Sequence, residues 1–161
     1  SRRGIEDDAI LANISLQDLI FEIAKSFEEI SDKKIKNKLE KKIKVPIKRS
    51  PEITYGIRNF VGNAVKFSKN KVFINLFFEN KNVFLEIIDD GPGFPSDVFK
   101  FIGEPYISSK SLELKSKSGL GLGTFIWKTL LERKKANIEF FNIKDKGAKV
   151  QIIWKISDIK I

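Results

Sequence analysis

Two alternating runs, Val72–Glu79 and Val83–Asp89, flank Glu79-Asn80-Lys81-Asn82 and commit this stretch to a β-hairpin. A pair of strands with apolar residues at every second position must bury one face against something else. The second run closes as Ile87-Ile88-Asp89-Asp90-Gly91-Pro92-Gly93-Phe94. Two carboxylates therefore stand on the lip of a buried strand, and a loop with two glycines follows at once. Asp, Gly and Pro are also ordinary turn residues, so by itself the stretch reads equally as a bare turn or as a site.

The rest of the chain supplies the other layer. Ser15 is placed as an N-cap with Asp18 three residues on, and Leu16, Leu19, Ile20, Ile23, Ala24, Phe27 and Ile30 follow at helical spacing. Lys41–Lys48 alternates through Ile43, Val45 and Ile47 and reads as a strand. Ser50-Pro51-Glu52 starts a second helix that runs to about Ser68. From Gly91 to Ser118 periodicity fades into a long loop, with one short helix expected near Ser96–Ile102. A third helix begins around Gly123 and ends near Lys135. Strands Ile138–Ile143 and Val150–Ile156 follow around the turn Lys144-Asp145-Lys146-Gly147. Helices and antiparallel hairpins together indicate an α/β two-layer sandwich.

Composition narrows the function classes. With 161 residues, 42% hydrophobic and 11% aromatic, the chain suits one domain with a real core. No apolar run approaches the roughly 20 residues of a membrane span, so no membrane contact is expected of this segment. There is no Cys and no His. That removes disulfides, thiolate metal sites, the commonest zinc ligand and every Ser-His or Cys-His catalytic pair. A net charge of +9 suits an anionic partner. The lysines, dense from Lys33 to Arg49, are nevertheless spread along the whole chain without any nucleic-acid reading motif, so no nucleic-acid partner is expected.

Two further stretches carry chemistry. On the second helix Ile57, Phe60, Val61 and Ala64 form a core stripe, while Asn59, Asn63 and Lys66 recur at i, i+4 and i+7 on the opposite side. Amide oxygens can ligate a hard cation and an ammonium can neutralise phosphate, although an ordinary solvated face has the same pattern. Asn is a mediocre helix former, and two of them in mid-helix call for a reason. Ser118-Gly119-Leu120-Gly121-Leu122-Gly123 then places three alternate glycines before Thr124–Lys135. Bare backbone at a helix entrance suits phosphate. It is neither a Walker A loop, which needs Lys-Ser/Thr after the glycines, nor a dinucleotide fingerprint.

Their order is the specific signal. An Asn-bearing helix, a hairpin ending in Asp-x-Gly-x-Gly, a long lid and Gly-x-Gly-x-Gly at a helix start resemble the GHKL, or Bergerat, ATP-binding fold. More closely they resemble the catalytic domain of sensor histidine kinases. "NFVGNAVKFS" is similar to that family's N box, "DDGPGF" to its G1 box, "GLGLGTFI" to its G2 box and "FIGEPYISSK" to its F box. The matches run from about Arg49 to Trp154. "RSPEITYGIRNFVGNAV", "GEPYISSK" and "GLGLGTFIWKTLLER" are similar to the RegB/PrrB group of redox-responsive kinases.

The resemblance implies a mixed, mainly antiparallel sheet of about five strands, with three helices on one face and a long ATP lid. It implies ATP and Mg²⁺ as ligands, with Asp89 accepting from the adenine amino group and Gly91 and Gly93 leaving room for the purine. Asp90 takes a variable, solvated position. Asn59 and Asn63 match the metal and phosphate asparagines, Lys66 the phosphate lysine, and Phe67 an aromatic beside the nucleotide. Phe94, Lys110, Gly119, Gly121, Leu122, Gly123 and Thr124 complete the implied contacts, the backbone N–H groups of Gly121, Leu122 and Gly123 taking phosphate.

Two departures stand out. Many members carry an acid just before the second N-box Asn, where this chain has Gly62, and the phosphoacceptor His is absent. Residues 1–14 are therefore expected to be the tail of a helix from a missing dimerisation domain, and 15–161 the catalytic domain. The implied partners are the protein's own His-bearing dimerisation domain and a response-regulator receiver domain. The whole protein would be a membrane-anchored homodimer with this domain in the cytoplasm. Two alternatives stay open at this point: a stand-alone GHKL serine kinase of the anti-sigma type, and a GHKL ATPase of the gyrase or MutL type, for which Gly62 fails to supply a water-activating acid.

Overall fold

The computed structural model describes residues 13–96, 121–144 and 147–161, with side chains in the third helix described from Phe125 onward. The chain runs β1 (Asn13–Ser15), α1 (Leu16–Ile30), β2 (Lys34–Leu39), β3 (Pro46–Lys48), α2 (Pro51–Phe67), β4 (Lys71–Glu79) and β5 (Asn82–Asp89). After the undescribed stretch come α3 (Gly121–Arg133), β6 (Asn137–Ile143), β7 (Gly147–Lys155) and the short α4 (Ile156–Ile159).

The main sheet has five strands in the order β2-β4-β5-β7-β6, and β1 pairs with β3 in a separate ribbon. Among the described strands of this sheet only β2 and β4 run parallel; every other neighbour is antiparallel. Val72, Ile74 and Leu76, Val83, Leu85 and Ile87, and Val150, Ile152 and Trp154 point to one face and share a single core with α1, α2 and α3. Two layers result, with the described helices on that one face.

Local signals set most boundaries. The Ser15 hydroxyl accepts from the Asp18 N–H at 3.0 Å, and the Ser50 hydroxyl from the Ile53 N–H at 3.3 Å, so both helices start at their capping serines. Asn80 and Lys81, at φ 51° and 66°, make the left-handed two-residue turn that matches strand twist. Leu16, Leu19, Ile20, Ile23 and Ala24 are buried as spaced, whereas Ile30 ends the stripe 79% exposed.

The strand expected over Lys41–Lys48 is corrected. Its span holds only the three residues of β3, and the sheet strand in this region is Lys34–Leu39. Val45 and Ile47 are buried as the alternation implied, but Ile43 is exposed. Gln17 explains how the part of this segment that precedes β3 dispenses with a strand partner. Its buried amide donates to the carbonyls of Glu40 and Ile43, and its Oε1 accepts from the Val45 N–H at 3.3 Å. The true strand was hidden because it is a lysine-rich edge whose one buried side chain is Ile35.

Candidate functional site

Asp89 ends β5 and is 6% exposed. Its Oδ1 accepts from the N–H of Gly91 at 2.8 Å and more weakly from that of Ala148 at 3.5 Å. No described residue donates to its second oxygen, although the residue lines a cavity. Burial pushes its carboxyl above the ordinary range, the two N–H donors pull part of that back, and the neighbouring Asp90 adds to the rise. The site thus holds an acceptor poorly solvated by water and already oriented by backbone.

Two glycines make that burial possible. A Cβ on Gly91 would run into the carbonyl of Phe67 and lie 2.9 Å from Asp89 Oδ1. Gly147, at φ +132°, would press a Cβ against the Asp89 carbonyl. The bareness of Gly91 thus serves the chain's own packing: the end of α2 fills the space beside it. Gly93 is required differently, by φ +85° and by Asn142 beside it. Asp90 keeps the solvent access expected of it and adds a structural role. Its Oδ1 accepts from the N–H groups of Lys69 at 2.7 Å and Asn70 at 3.0 Å, clamping the turn between α2 and β4. Burial alone would raise the Asp90 carboxyl, but the backbone donors of this turn together hold it below the ordinary range.

The cavity beside Asp89 measures about 150 Å³. Phe60, Asn63, Ala64 and Phe67 of α2 form one wall, and Ile87, Val150 and Phe140 the floor, with Gly93 and Phe94 at the side. The floor is one row across the sheet, since Ile87 pairs with Val150 and Val150 with Phe140. The walls are apolar and largely aromatic, while Asp89 and Asn63 are polar. Such a space accepts a flat apolar ring with a donor on its edge.

The remaining expected residues fall around this opening. Asn63 lies on its wall. Asn59 is one turn earlier on α2, with a buried Oδ1 that has no hydrogen-bond partner. Lys66 is exposed, its Nζ 5.3 Å from the Phe67 ring centroid. The glycine-rich helix starts at Gly121, two residues before the expected position, so Gly121, Leu122, Gly123 and Thr124 form its first turn.

That turn lies next to the cavity, because Phe125 is buried against Phe67, Phe94 and Phe140. Gly56 brings α3 so close: a Cβ there would stand 2.6 Å from Leu131 Cγ. Gly62 abuts Phe27 of α1, whose ring would lie 3.2 Å from an added Cβ. Lys110, Gly119, the F-box segment, the short helix expected near 96–102 (beyond Ser96), residues 97–118 of the long loop and residues 1–12 lie outside the described residues.

Sequence reasoning missed Phe140, Ala148, Val150, Gly147 and Asn142. Period-two alternation marks Val150 as inward, but only the pairing of β7 between β5 and β6 sets these residues beside Asp89. Among the described residues no group of three or more Cys, Asp or Glu could hold a metal. The orphaned Asn59 oxygen nonetheless fits a hard cation that takes most of its ligands from phosphate and water.

Residues 48–158 match the family described as histidine kinase-, DNA gyrase B- and HSP90-like ATPases. Sensor histidine kinase RegB of Cereibacter sphaeroides is 35% identical over 132 residues, covering 71% of this chain and 28% of RegB. The chain thus spans little more than a quarter of that relative. Among solved structures, the mycobacterial sensor histidine kinase MprB superposes with a TM-score of 0.68 at 17% identity, over 88% of this chain and 95% of that one. The catalytic domain of histidine kinase ThkA does so with a TM-score of 0.67 at 20% identity, over 89% and 94%. These two likenesses concern the fold.

Proposed function

The chain belongs to the family of histidine kinase-, DNA gyrase B- and HSP90-like ATPases, and from that premise we propose that it is the ATP-binding catalytic domain of a two-component sensor kinase. The observation that carries the reading is Asp89: a buried carboxylate with an uncommitted oxygen, set in an aromatic-walled cavity at the end of a strand. The adenine amino group is the donor it would receive. Phe60, Phe67, Phe94 and Phe140 would hold the ring and keep water from competing.

The triphosphate would extend along α2 towards Asn63, Asn59 and Lys66 and end at the first turn of α3. There the unpaired N–H groups and the positive end of the helix dipole favour anions. Asn59 and Asn63 are the residues that would hold Mg²⁺, whose charge would offset that building on the phosphates. Phosphoryl transfer in such a site is mostly positioning and charge neutralisation. The bond from the γ-phosphorus to the bridging oxygen breaks, a bond to an imidazole nitrogen forms, and ADP leaves.

This chain contains no histidine, so the acceptor would be on a separate dimerisation domain, which hands the phosphoryl group to a receiver-domain Asp. Gly62 offers no base and faces Phe27, so proton removal would fall to the acceptor domain. No described helix is long and apolar enough to cross a membrane. The domain would work in the cytoplasm, where ATP is found, within a membrane-anchored homodimer. The likeness to RegB supports a redox-responsive input for that whole protein.

The test is one gel. With radiolabelled ATP the chain alone should take up no stable label, and with its His-bearing dimerisation hairpin it should label that hairpin in an acid-labile bond. Strong acid-stable labelling of this chain by itself would refute the reading and favour a serine kinase.

A further inference from the structure

The side chain of Asn142 closes a two-point clasp on the backbone of Phe94: its Oδ1 accepts from the Phe94 N–H at 2.7 Å, and its Nδ2 donates to the Phe94 carbonyl at 2.8 Å. The amide thereby imitates a neighbouring strand and pins a segment that belongs to no strand. Two features fit this pairing. Gly93 takes φ +85°, and a Cβ on it would stand 2.8 Å from Asn142 Oδ1. Asn142 also lies level with Asp89 in the sheet, since it pairs with Ala148, whose N–H reaches Asp89 Oδ1. The clasp holds the Phe94 ring edge-on to Phe140, centroids 5.6 Å apart, where both line the cavity.

We propose that Asn142 is a positioning residue for base recognition: by fixing Phe94 it sets the width of the slot in which a planar base meets Asp89. Asn142 does not line the cavity and acts through Phe94. The inference rests on the nucleotide reading of the cavity. With the clasp open, Phe94 loses both of these backbone bonds. The slot then exchanges between widths, and a ligand must select the competent one. The effect belongs to the base end, because among the described residues both side-chain hydrogen bonds of Asn142 go to Phe94 and none to Asn59, Asn63 or Lys66.

The experiment measures adenosine and inorganic tripolyphosphate binding by calorimetry for wild type, Asn142→Ala and Asn142→Asp. All are held well below their unfolding temperatures, and near-ultraviolet circular dichroism checks the fold. Each variant should lose roughly three- to tenfold in adenosine affinity, the worth of one or two such hydrogen bonds, and keep its tripolyphosphate affinity. Asn142→Asp preserves size and the acceptor while removing the donor, so a loss there cannot come from missing bulk. A purely structural residue would lower the unfolding temperature without splitting the two ligands. Adenosine affinity within twofold of wild type in both variants, or equal losses for both ligands, would overturn the proposal. If wild type bound no adenosine, the nucleotide reading itself would fall and this inference with it.

Discussion

Replacing Asp89 with Asn exchanges one oxygen for an amino group and removes one buried charge. The retained amide oxygen can still accept from the N–H groups of Gly91 and Ala148, now at 2.8 and 3.5 Å, so the local backbone has no cause to move. The other position turns from acceptor to donor and would face the adenine amino group donor to donor. Losing a charge-assisted hydrogen bond costs about 1.5–3 kcal/mol, which is roughly 10- to 150-fold in Kd for ATP. Stability should move the other way. Burial raises the Asp89 carboxyl above its ordinary 3.8, so the folded chain holds this proton to a higher pH than the unfolded chain does. Stability therefore falls as pH climbs from about that ordinary value through the raised one, and the cost of the buried charge is present in full above it. Asn does not titrate. The ligand-free variant should be at least as stable as wild type at pH 8, with the gap closing towards pH 4. Calorimetric titration with ATP and GTP, and urea unfolding at both pH values, measure the two halves separately. A variant that bound ATP normally, or was less stable than wild type by more at pH 8 than at pH 4, would refute the reasoning.

Gly91→Ala should destabilise by at least the 1–3 kcal/mol typical of overpacking, because the new methyl meets the backbone carbonyl of Phe67 rather than a mobile side chain; denaturant unfolding reads this directly. Asn63→Ala should weaken Mg²⁺-ATP several-fold more than adenosine, since the lost amide would serve the phosphates and their ion; equal losses in paired titrations would make the residue structural. Asp90→Ala should cost about 1 kcal/mol at pH 7 by leaving the N–H groups of Lys69 and Asn70 without their acceptor. The Asp90 carboxyl is held low in the folded state, so its contribution is present above the ordinary carboxylate value and fades as pH falls through the lowered one. Unfolding curves for wild type and variant should accordingly converge in acid.

Much of this molecule is legible without coordinates, wherever the deciding interaction is local. Ser15 and Ser50 cap helices through bonds three residues away, and Asn80-Lys81 turns a hairpin on its own dihedrals. The period of two in β4 and β5 and the stripe on α2 follow from which faces must leave water, and they survive in the core unchanged. The order of the Asn helix, the Asp-Gly lip and the glycine-rich helix start is a linear property too, and the family follows from it.

What remained hidden depends on partners far away in the chain. The edge strand Lys34–Leu39 buries one side chain and draws its order from pairing with β4, so its own residues carry almost no periodic signal. The alternation at 43–47 suggested one longer strand because nothing nearby reveals that Gln17, 26 or more residues earlier, bonds the backbone of Ile43 and Val45. Asp90 is the solvated acid it looked like, but only the fold shows the backbone after α2 that it holds, and Gly91 looked like space for a ligand until the Phe67 carbonyl filled that space. Asn142 reads as an unremarkable polar residue near a strand end. Its partner is 48 positions away, and only the closing of β6 onto β7 sets its amide against Phe94. Sequence period reports which way a side chain faces; which side chain it meets there is decided by the order in which strands pair.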